Sequence, residues 1–115
     1  DGSAIRDFAY SRDVAEGVIQ ALYYGTDSRF VNLGSGNGNT IRELVETLNK
    51  FIEFKYQFDR TKPSGFPKRI MDISLARKLI HYNPTTNLLD GLKETWNWFI
   101  ENQDEYLNKV NYFKE

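Results

Sequence analysis

The sequence predicts one mixed α/β domain spanning residues 1–115, with about four helices and three or four short strands. Segments with apolar residues at helical spacing alternate with short stretches rich in β-branched and aromatic residues. Glycine, proline and capping residues separate these segments, and 115 residues suit a single domain but are too few for two. This pattern leaves α/β and α+β arrangements open and identifies no function.

The first half contains two strand–helix units. Residues 5–10 predict a short strand, and Ser11 or Asp13 begins a helix that ends at Gly25. Residues 29–33 predict a second strand, which leads into the glycine-rich turn 34–39, and Thr40 with Glu43 forms a capping-box pattern at the next helix. The apolar positions are Val14, Ala15, Val18, Ile19 and Leu22 in the first helix, and Ile41, Leu44, Val45, Leu48, Phe51 and Ile52 in the second.

The second half begins with alternating aromatic residues at 54, 56 and 58, which predict a third strand. An irregular basic loop at 59–69 leads to a short extended run at 70–71 and to a brief helix capped by Ser74. The last helix begins near Thr86 or Asn87, and residues 103–115 extend it or fray. Its expected buried residues are Leu88, Leu89, Leu92, Trp96, Phe99 and Ile100.

Composition excludes several classes of function. The 15 Lys and Arg balance 16 Asp and Glu, which argues against non-specific nucleic-acid binding. Cysteine is absent and His81 is the only histidine, so we expect no metal site and no catalytic triad. No apolar run is long enough to span a membrane and no signal peptide is visible, so we expect a soluble, cytoplasmic domain. Because the chain begins with Asp1, we also expect part of a longer protein, with one face lacking its packing partner.

Three features could bind a ligand. The glycine turn resembles a dinucleotide fingerprint, but Asn39 stands where that fingerprint needs glycine, so we expect a tight turn with positive φ. Arg6 and Asp7 point to opposite faces of a strand, and the residues alone favour a structural ion pair for Arg6. The basic loop is either a solvated loop, which its spacing slightly favours, or a diphosphate clamp. Its cations are Arg60, Lys62, Lys68 and Arg69.

Four ordered segments resemble the extended short-chain dehydrogenase/reductase family, the nucleotide-sugar epimerases and dehydratases. Each is weak alone, but together they cover nearly the whole chain, and the third is most similar to GDP-fucose synthase-like members. They are Arg-Asp-Phe-Ala-Tyr at 6–10, Asn-Leu-Gly-Ser-Gly at 32–36 followed by Thr-Ile-Arg-Glu-Leu at 40–44, Lys-Pro-Ser-Gly-Phe-Pro at 62–67 with Asp-Ile-Ser at 72–74, and 84–99 ending in Trp-Asn-Trp-Phe.

The resemblance implies a substrate-binding lobe that packs on an N-terminal Rossmann domain and binds a nucleotide-diphosphate sugar. It implies that Arg6 contacts the diphosphate and that Asn32 lies near the same phosphates. It further implies that Lys62, ten residues before Asp72, binds phosphate, with Arg69 as another member of the clamp. Asp13 and Asp72 are expected to be structural residues at helix starts.

The family's Tyr-x-x-x-Lys pair and its glycine fingerprint for NAD or NADP are not in this chain. The resemblance therefore implies that catalysis and cofactor binding belong to the N-terminal domain, and that the full-length protein is a homodimer. We expect this fragment alone to be inactive and to bind no cofactor. Two alternatives stay open, a non-catalytic NADP-linked binding or regulatory module of the same fold, and a small RNA-contacting domain that uses Phe54, Tyr56 and Phe58.

Overall fold

A small three-stranded sheet joins segments that are far apart in the sequence. In the computed structural model, which describes residues 1–63 and 65–107, strand β1 (Ile5–Arg6) lies between β2 (Asn39–Thr40) and β3 (Lys68–Arg69). β1 is antiparallel to β2, with Arg6 opposite Asn39, and parallel to β3, with Arg6 opposite Arg69. The predicted mixed α/β class is confirmed, although each strand has only two residues.

Five helices make up most of the regular structure in the described part of the chain, and the sequence predicted most of their ends. The Thr40–Glu43 capping box is present, and Asn87 caps the helix that follows it. His81 adopts a left-handed conformation (φ 58°) and ends the helix before it. The helices are α1 (Ser11–Tyr24), α2 (Ile41–Leu48), α3 (Ser74–Ile80), α4 (Leu88–Glu101) and α5 (Gln103–Leu107).

The strand predictions were less successful. Within the described ranges, residues 29–33 and 54–58 pair with no other strand. The strand expected at 5–10 contains only residues 5 and 6. The last strand lies at 68–69, whereas the extended run was expected at 70–71. A strand needs a neighbour for its N–H and C=O groups, and alternation alone supplies none. Instead, the ring of Tyr56 lies 5.9 Å from that of Phe54 and 5.6 Å from that of Phe58. The RNA alternative, which uses these three rings, stays a prediction.

The core is small and lies between α1 and α3. Ile73, Ala76, Ile80 and Tyr82 are buried together, and Ala21, Val31, Leu33 and Leu79 pack against them. The Tyr82 hydroxyl donates a hydrogen bond of 2.9 Å to the Gly34 carbonyl, which ties this core to the glycine turn.

The second packing unit pairs α2 with α4. The expected apolar stripes are only half-buried, and Ile100 is 50% exposed rather than buried. α2 ends at Leu48, so Phe51 and Ile52 lie in the turns after it, and α5 continues the chain beyond α4. Residues 108–115 of the expected C-terminal extension lie outside the described residues.

The apolar face of α1 is exposed. Val18, Ile19 and Leu22 are 57%, 66% and 88% exposed, and Phe30 after the helix is fully exposed. Isolated exposed apolar residues are ordinary, but a whole helix face is not. The expectation that one face lacks its partner stays a prediction, and this exposure supports it.

Candidate functional site

Two arginines meet on one face of the sheet. Arg6 and Arg69 are opposite one another in the β1–β3 pair, and paired residues project from the same face. Phe66 contacts both, because its carbonyl accepts a 2.8 Å hydrogen bond from Arg6 Nη1 and its ring lies 4.6 Å below the Arg69 guanidinium. Arg6 Nη1 also donates to the Ile5 carbonyl at 2.7 Å. The structure therefore holds two cations side by side, which we call the Arg6–Arg69 pair.

Among the described residues, no carboxylate forms an ion pair with the Arg6–Arg69 pair. The ion pairs in the part of the chain that the structure describes are Arg12–Glu94 and Arg29–Asp27, both at 3.0 Å. The structural ion pair considered for Arg6 is therefore wrong, since this guanidinium is fixed by carbonyl oxygens that leave its charge uncompensated. Guanidinium groups bind phosphate oxygens through two parallel hydrogen bonds, so the arrangement suits an anion such as a diphosphate.

Lys62 lies elsewhere. It lines a surface cavity of about 520 Å³ together with Arg42 and Arg60, beside Asp1, Ser3 and Pro63. Arg42 is engaged there, because it donates to the Asp1 carbonyl at 2.6 Å and lies 4.5 Å above the Phe58 ring. Among the described residues no contact joins Lys62 to the Arg6–Arg69 pair, so the four predicted site residues do not form one cluster.

Asn32 also makes a structural contact. Its Nδ2 donates to the Asp72 carbonyl at 3.1 Å, which joins the segment before the glycine turn to the start of α3. The Asp72 carboxylate accepts the Ser74 N–H at 2.9 Å, and its hydrogen bonds with Ser74 lower the pKa of that carboxyl. The N-cap of α3 is Ile73 rather than the predicted Ser74, and no side chain caps it; the Asp72 carboxylate instead accepts from the N–H of Ser74, the first residue of the helix.

The glycine turn is organised by Asp7, a residue for which sequence reasoning found no role. Asp7 Oδ1 accepts from the Ser35 N–H at 2.8 Å and from the Ser35 hydroxyl at 2.6 Å, and Oδ2 accepts from the N–H groups of Gly36 and Met71. Burial alone would raise the pKa of this carboxyl, but the hydrogen bonds from Ser35, Met71 and Gly36 outweigh it and lower the pKa. The available signal was the alternation that places Asp7 on the face opposite Arg6.

The geometry of this turn does not fit a dinucleotide. A pyrophosphate would need the free N–H groups of the turn, and the carboxylate of Asp7 already accepts those of Ser35 and Gly36. A Cβ added at Gly34 would lie 2.8 Å from Asp7 Oδ2, so only glycine at this position lets the backbone lie this close to the Asp7 carboxylate. Gly36 has the expected positive φ, at 70°. The turn is a structural junction, and the residues around it do not fit NAD or NADP.

Asp13 holds two distant elements together. It is 7% exposed and accepts hydrogen bonds of 3.0 Å from both the N–H and the hydroxyl of Thr86, which precedes α4. Asp13 is structural, as expected. It acts across the fold, however, because it lies inside α1 rather than at its N-cap.

No set of three His, Asp or Glu residues in the described part of the chain could hold a metal ion. His81 packs edge-on against Tyr24, with the ring centres 4.9 Å apart. Over the same residues, no helix has both the length and the apolar character that a membrane crossing needs.

Comparison with known proteins finds relatives among GDP-L-fucose synthases and epimerases. No model of a protein family matches it. GDP-L-fucose synthase 1 of Arabidopsis thaliana is 37% identical over 103 residues, which are 88% of this chain and 32% of that protein. The GDP-L-fucose synthase of Escherichia coli (strain K12) is 31% identical over 116 residues, with 91% of this chain and 36% of that protein covered. The chain thus spans about a third of the length of the curated relatives it matches.

Solved structures agree with this assignment. The epimerase Mth375 from Methanothermobacter thermautotrophicus superposes with a TM-score of 0.80 at 26% identity and covers 95% of this chain and 34% of its own. The Bordetella bronchiseptica enzyme WbmF, in complex with NAD+ and UDP, gives 0.75 at 27% identity, with 90% of this chain and 31% of its own covered. Motifs, relatives and fold agree: the relatives are GDP-L-fucose synthases and epimerases, and the chain matches a C-terminal part of an extended short-chain dehydrogenase/reductase.

Proposed function

We propose that this chain is the substrate-binding lobe of an NAD(P)-dependent nucleotide-sugar epimerase or reductase of the GDP-fucose synthase type. The observation that carries the proposal is the Arg6–Arg69 pair, two adjacent guanidinium groups with no carboxylate partner among the described residues. A diphosphate supplies the two anionic groups that such a pair can bind. The binding of UDP by the related enzyme WbmF supports a nucleotide ligand.

The two arginines are prepared for binding in different ways. The carbonyls of Ile5 and Phe66 hold Arg6 Nη1, so this side chain loses little conformational entropy when it takes up a phosphate oxygen. The Arg69 guanidinium lies over the Phe66 ring, and this contact orients the guanidinium while leaving its N–H groups free to donate to a ligand. We assign both to the diphosphate.

Asn32 and Lys62 are further proposed ligands, and each needs a local rearrangement. Asn32 would have to release the Asp72 carbonyl, which its Nδ2 now contacts. Lys62 would have to leave the cavity that it lines with Arg42 and Arg60 and turn toward β3. Both would then strengthen binding only after the diphosphate has reached the Arg6–Arg69 pair.

Catalysis and cofactor binding belong, in this proposal, to a Rossmann domain outside this chain. A tyrosine of that domain acts as the base and NAD or NADP supplies the hydride chemistry. The 115-residue chain alone is then inactive, and the full-length enzyme is a cytoplasmic homodimer. The contribution of the present residues is to bind and orient the substrate.

The test compares Arg6→Ala with Arg29→Ala in the full-length enzyme. Arg29 is an exposed arginine paired with Asp27 in a surface turn, so it controls for the loss of one positive charge. Loss of a charge-assisted hydrogen bond should raise KM for the sugar nucleotide by about tenfold or more in Arg6→Ala. Arg29→Ala should leave KM unchanged.

A binding measurement separates the diphosphate from the nucleoside. Isothermal titration should show that Arg6→Ala weakens binding of the nucleoside diphosphate and leaves binding of the bare nucleoside unchanged. Equal affinity of wild type and Arg6→Ala for the nucleoside diphosphate would contradict the proposed role.

A further inference from the structure

The glycine turn at 34–36 closes around one carboxylate. The N–H groups of Ser35 and Gly36 donate to the Asp7 carboxylate at 2.8 and 3.0 Å, and the Ser35 hydroxyl donates to it at 2.6 Å. A Cβ at Gly34 would lie 2.8 Å from Asp7 Oδ2, so this glycine lets the turn approach the carboxylate closely. Hydrogen bonds from several donors fix the direction in which the Asp7 side chain points.

The same carboxylate also contacts the segment that carries Arg69. Asp7 Oδ2 accepts the N–H of Met71 at 3.2 Å, and Met71 is two residues beyond Arg69. A Cβ at Gly34 would also lie 2.9 Å from the Met71 Cβ, so the turn packs against this segment as well. Asp7 directly follows Arg6, and its side chain therefore connects the end of β1 to the segment after β3.

This connection supplements a very short strand pair. β1 and β3 have two residues each, and Arg6 is opposite Arg69 at the last position of both strands. Before the two arginines, the N–H of Ile5 donates to the Pro67 carbonyl at 2.8 Å. Beyond them, the Met71 N–H donates to the carboxylate. The Arg6–Arg69 pair therefore lies between two cross-connections, and a side chain supplies the second one.

Asp7 holds the two strands together without neutralising the arginines. Both of its oxygens accept from N–H and hydroxyl groups of Ser35, Gly36 and Met71. Within the described ranges of the chain, it forms no ion pair with Arg6 or Arg69. A charged acceptor binds such donors more strongly than a neutral one, so the carboxylate stabilises the junction while the positive charge of the pair stays available to an anion.

We propose that Asp7 is a positioning residue for the diphosphate, and that the glycine turn serves substrate binding by orienting the Asp7 carboxylate. The inference rests on the proposed function, which assigns the diphosphate to the Arg6–Arg69 pair. Two guanidinium groups bind one diphosphate well only when their separation matches that of its phosphates, and supporting side chains maintain this separation. Asp7 acts through the two arginines and does not contact the substrate.

The first test compares Asp7→Asn with Asp13→Asn in the full-length enzyme. Asp13 is a matched control, because its buried carboxylate also accepts an N–H and a hydroxyl, both from Thr86 before α4. At a temperature where both variants are folded, Asp7→Asn should weaken binding of the nucleoside diphosphate by about fivefold or more in isothermal titration. Asp13→Asn should leave this affinity unchanged, and equal losses in the two variants would overturn the inference.

Steady-state kinetics separate positioning from chemistry. Asp7→Asn should raise KM for the sugar nucleotide and leave kcat unchanged, because the diphosphate is bound in the ground state and in the transition state alike. A lower kcat with an unchanged KM would contradict the positioning role.

A double-mutant cycle shows whether Asp7 acts through the arginines. In a background that already has Arg69→Ala, Asp7→Asn should weaken diphosphate binding by less than about twofold, because the spacing of the pair no longer matters. The same loss in both backgrounds would overturn the inference.

Ser35→Ala provides a milder variant if Asp7→Asn does not fold. It keeps the carboxylate and removes only the hydroxyl bond of 2.6 Å, so it should weaken diphosphate binding by about threefold. Unchanged affinity in Ser35→Ala would show that the glycine turn does not orient Asp7 for binding.

The outcomes distinguish this inference from the proposed function. Weaker binding of the nucleoside diphosphate in Arg6→Ala together with unchanged binding in Asp7→Asn would retain the diphosphate site and refute the positioning role. Unchanged binding in Arg6→Ala would refute the diphosphate site itself, whatever the result for Asp7→Asn.

Discussion

Asp7 and Ser35, which are 28 positions apart, share two hydrogen bonds through one carboxylate oxygen. The other oxygen of Asp7 contacts the N–H groups of Gly36 and Met71. One side chain therefore joins the end of β1 to the glycine turn and to the segment that follows β3. Because Arg6 precedes Asp7 and Arg69 lies two residues before Met71, this junction also sets the spacing of the Arg6–Arg69 pair.

Loss of the Asp7 carboxylate should destabilise the protein. Asp7→Ala leaves the N–H groups of Ser35, Gly36 and Met71 without their acceptor, and we expect a decrease of about 2 kcal/mol or more in the free energy of unfolding. Asp27→Ala, which breaks a surface ion pair with Arg29, should cost about 0.5 kcal/mol or less. Urea unfolding measures both values, and equal midpoints for the two variants would contradict the junction.

The stability of the protein should also depend on pH through Asp7. The folded pKa of this carboxyl lies below its ordinary value of 3.8, so the unfolded chain binds the proton more tightly. The stabilising contribution is therefore complete above about pH 4 and is lost as the pH falls through 3.8 toward the folded pKa. In a series of urea titrations from pH 6 downward, Asp7→Asn should show a shallower acid decline than wild type. Parallel declines would argue against this linkage.

The hydroxyl of Tyr82 should contribute to the core beyond the packing of its ring. Tyr82 is 2% exposed, and its hydroxyl donates to the buried Gly34 carbonyl. Tyr82→Phe keeps the ring and leaves that carbonyl unpaired, at an expected cost of about 1–2 kcal/mol. Tyr23→Phe, on a residue that is 80% exposed, is the matched control and should be neutral in thermal unfolding. A neutral Tyr82→Phe would mean that the Gly34 carbonyl has another partner.

Removal of the Asp13 contacts should loosen α4 from α1. The buried carboxylate accepts both the N–H and the hydroxyl of Thr86, and Asp13→Ala should reduce stability by about 2 kcal/mol. Thr86→Val removes only the hydroxyl contact and should cost less than Asp13→Ala. Chemical denaturation of the two single variants and the double variant gives the coupling between them. Strict additivity would show that the two side chains do not interact.

Phe66 should influence substrate binding through its ring. Phe66→Leu keeps the backbone carbonyl that accepts from Arg6 but removes the aromatic face beneath Arg69. We expect KM for the sugar nucleotide to rise about threefold in the full-length enzyme, while Phe66→Tyr keeps the wild-type value. If Leu and Tyr at this position behave alike, the ring does not position Arg69.

Local signals were sufficient for three helix ends but not for the strands. The Thr40–Glu43 capping box, the Asn87 cap and the break at His81 act within a few residues, and the structure has all three. Residues 29–33 have the alternation of a strand, but a strand exists only when a second segment pairs with it. That information lies in another part of the chain or in another domain.

In the candidate site, too, the sequence identifies individual residues but does not show which of them lie together. The motif resemblance selected Arg6 and Arg69 separately, but their adjacency follows from the β1–β3 register, which joins residues 63 positions apart and leaves no local trace. The same holds for the contact of Asp13 with Thr86 and for the contacts of Asp7. The grouping of Lys62 with these arginines stays a prediction, because in this structure Lys62 lines a cavity with Arg42 and Arg60.

Under the proposed function, binding of a diphosphate across the two short strands is coupled to the folding equilibrium of the lobe. Two-residue ladders give β1 and β3 few backbone hydrogen bonds, and the side-chain bonds of Asp7 to Met71 and of Arg6 to Phe66 supplement them. A diphosphate held by both guanidinium groups is a cross-link between the two strands, present only in the folded state. By mass action, such a ligand at a hundred times its Kd adds about 2.7 kcal/mol to the unfolding free energy. Substrate concentration would then set the fraction of lobes whose two strands remain together.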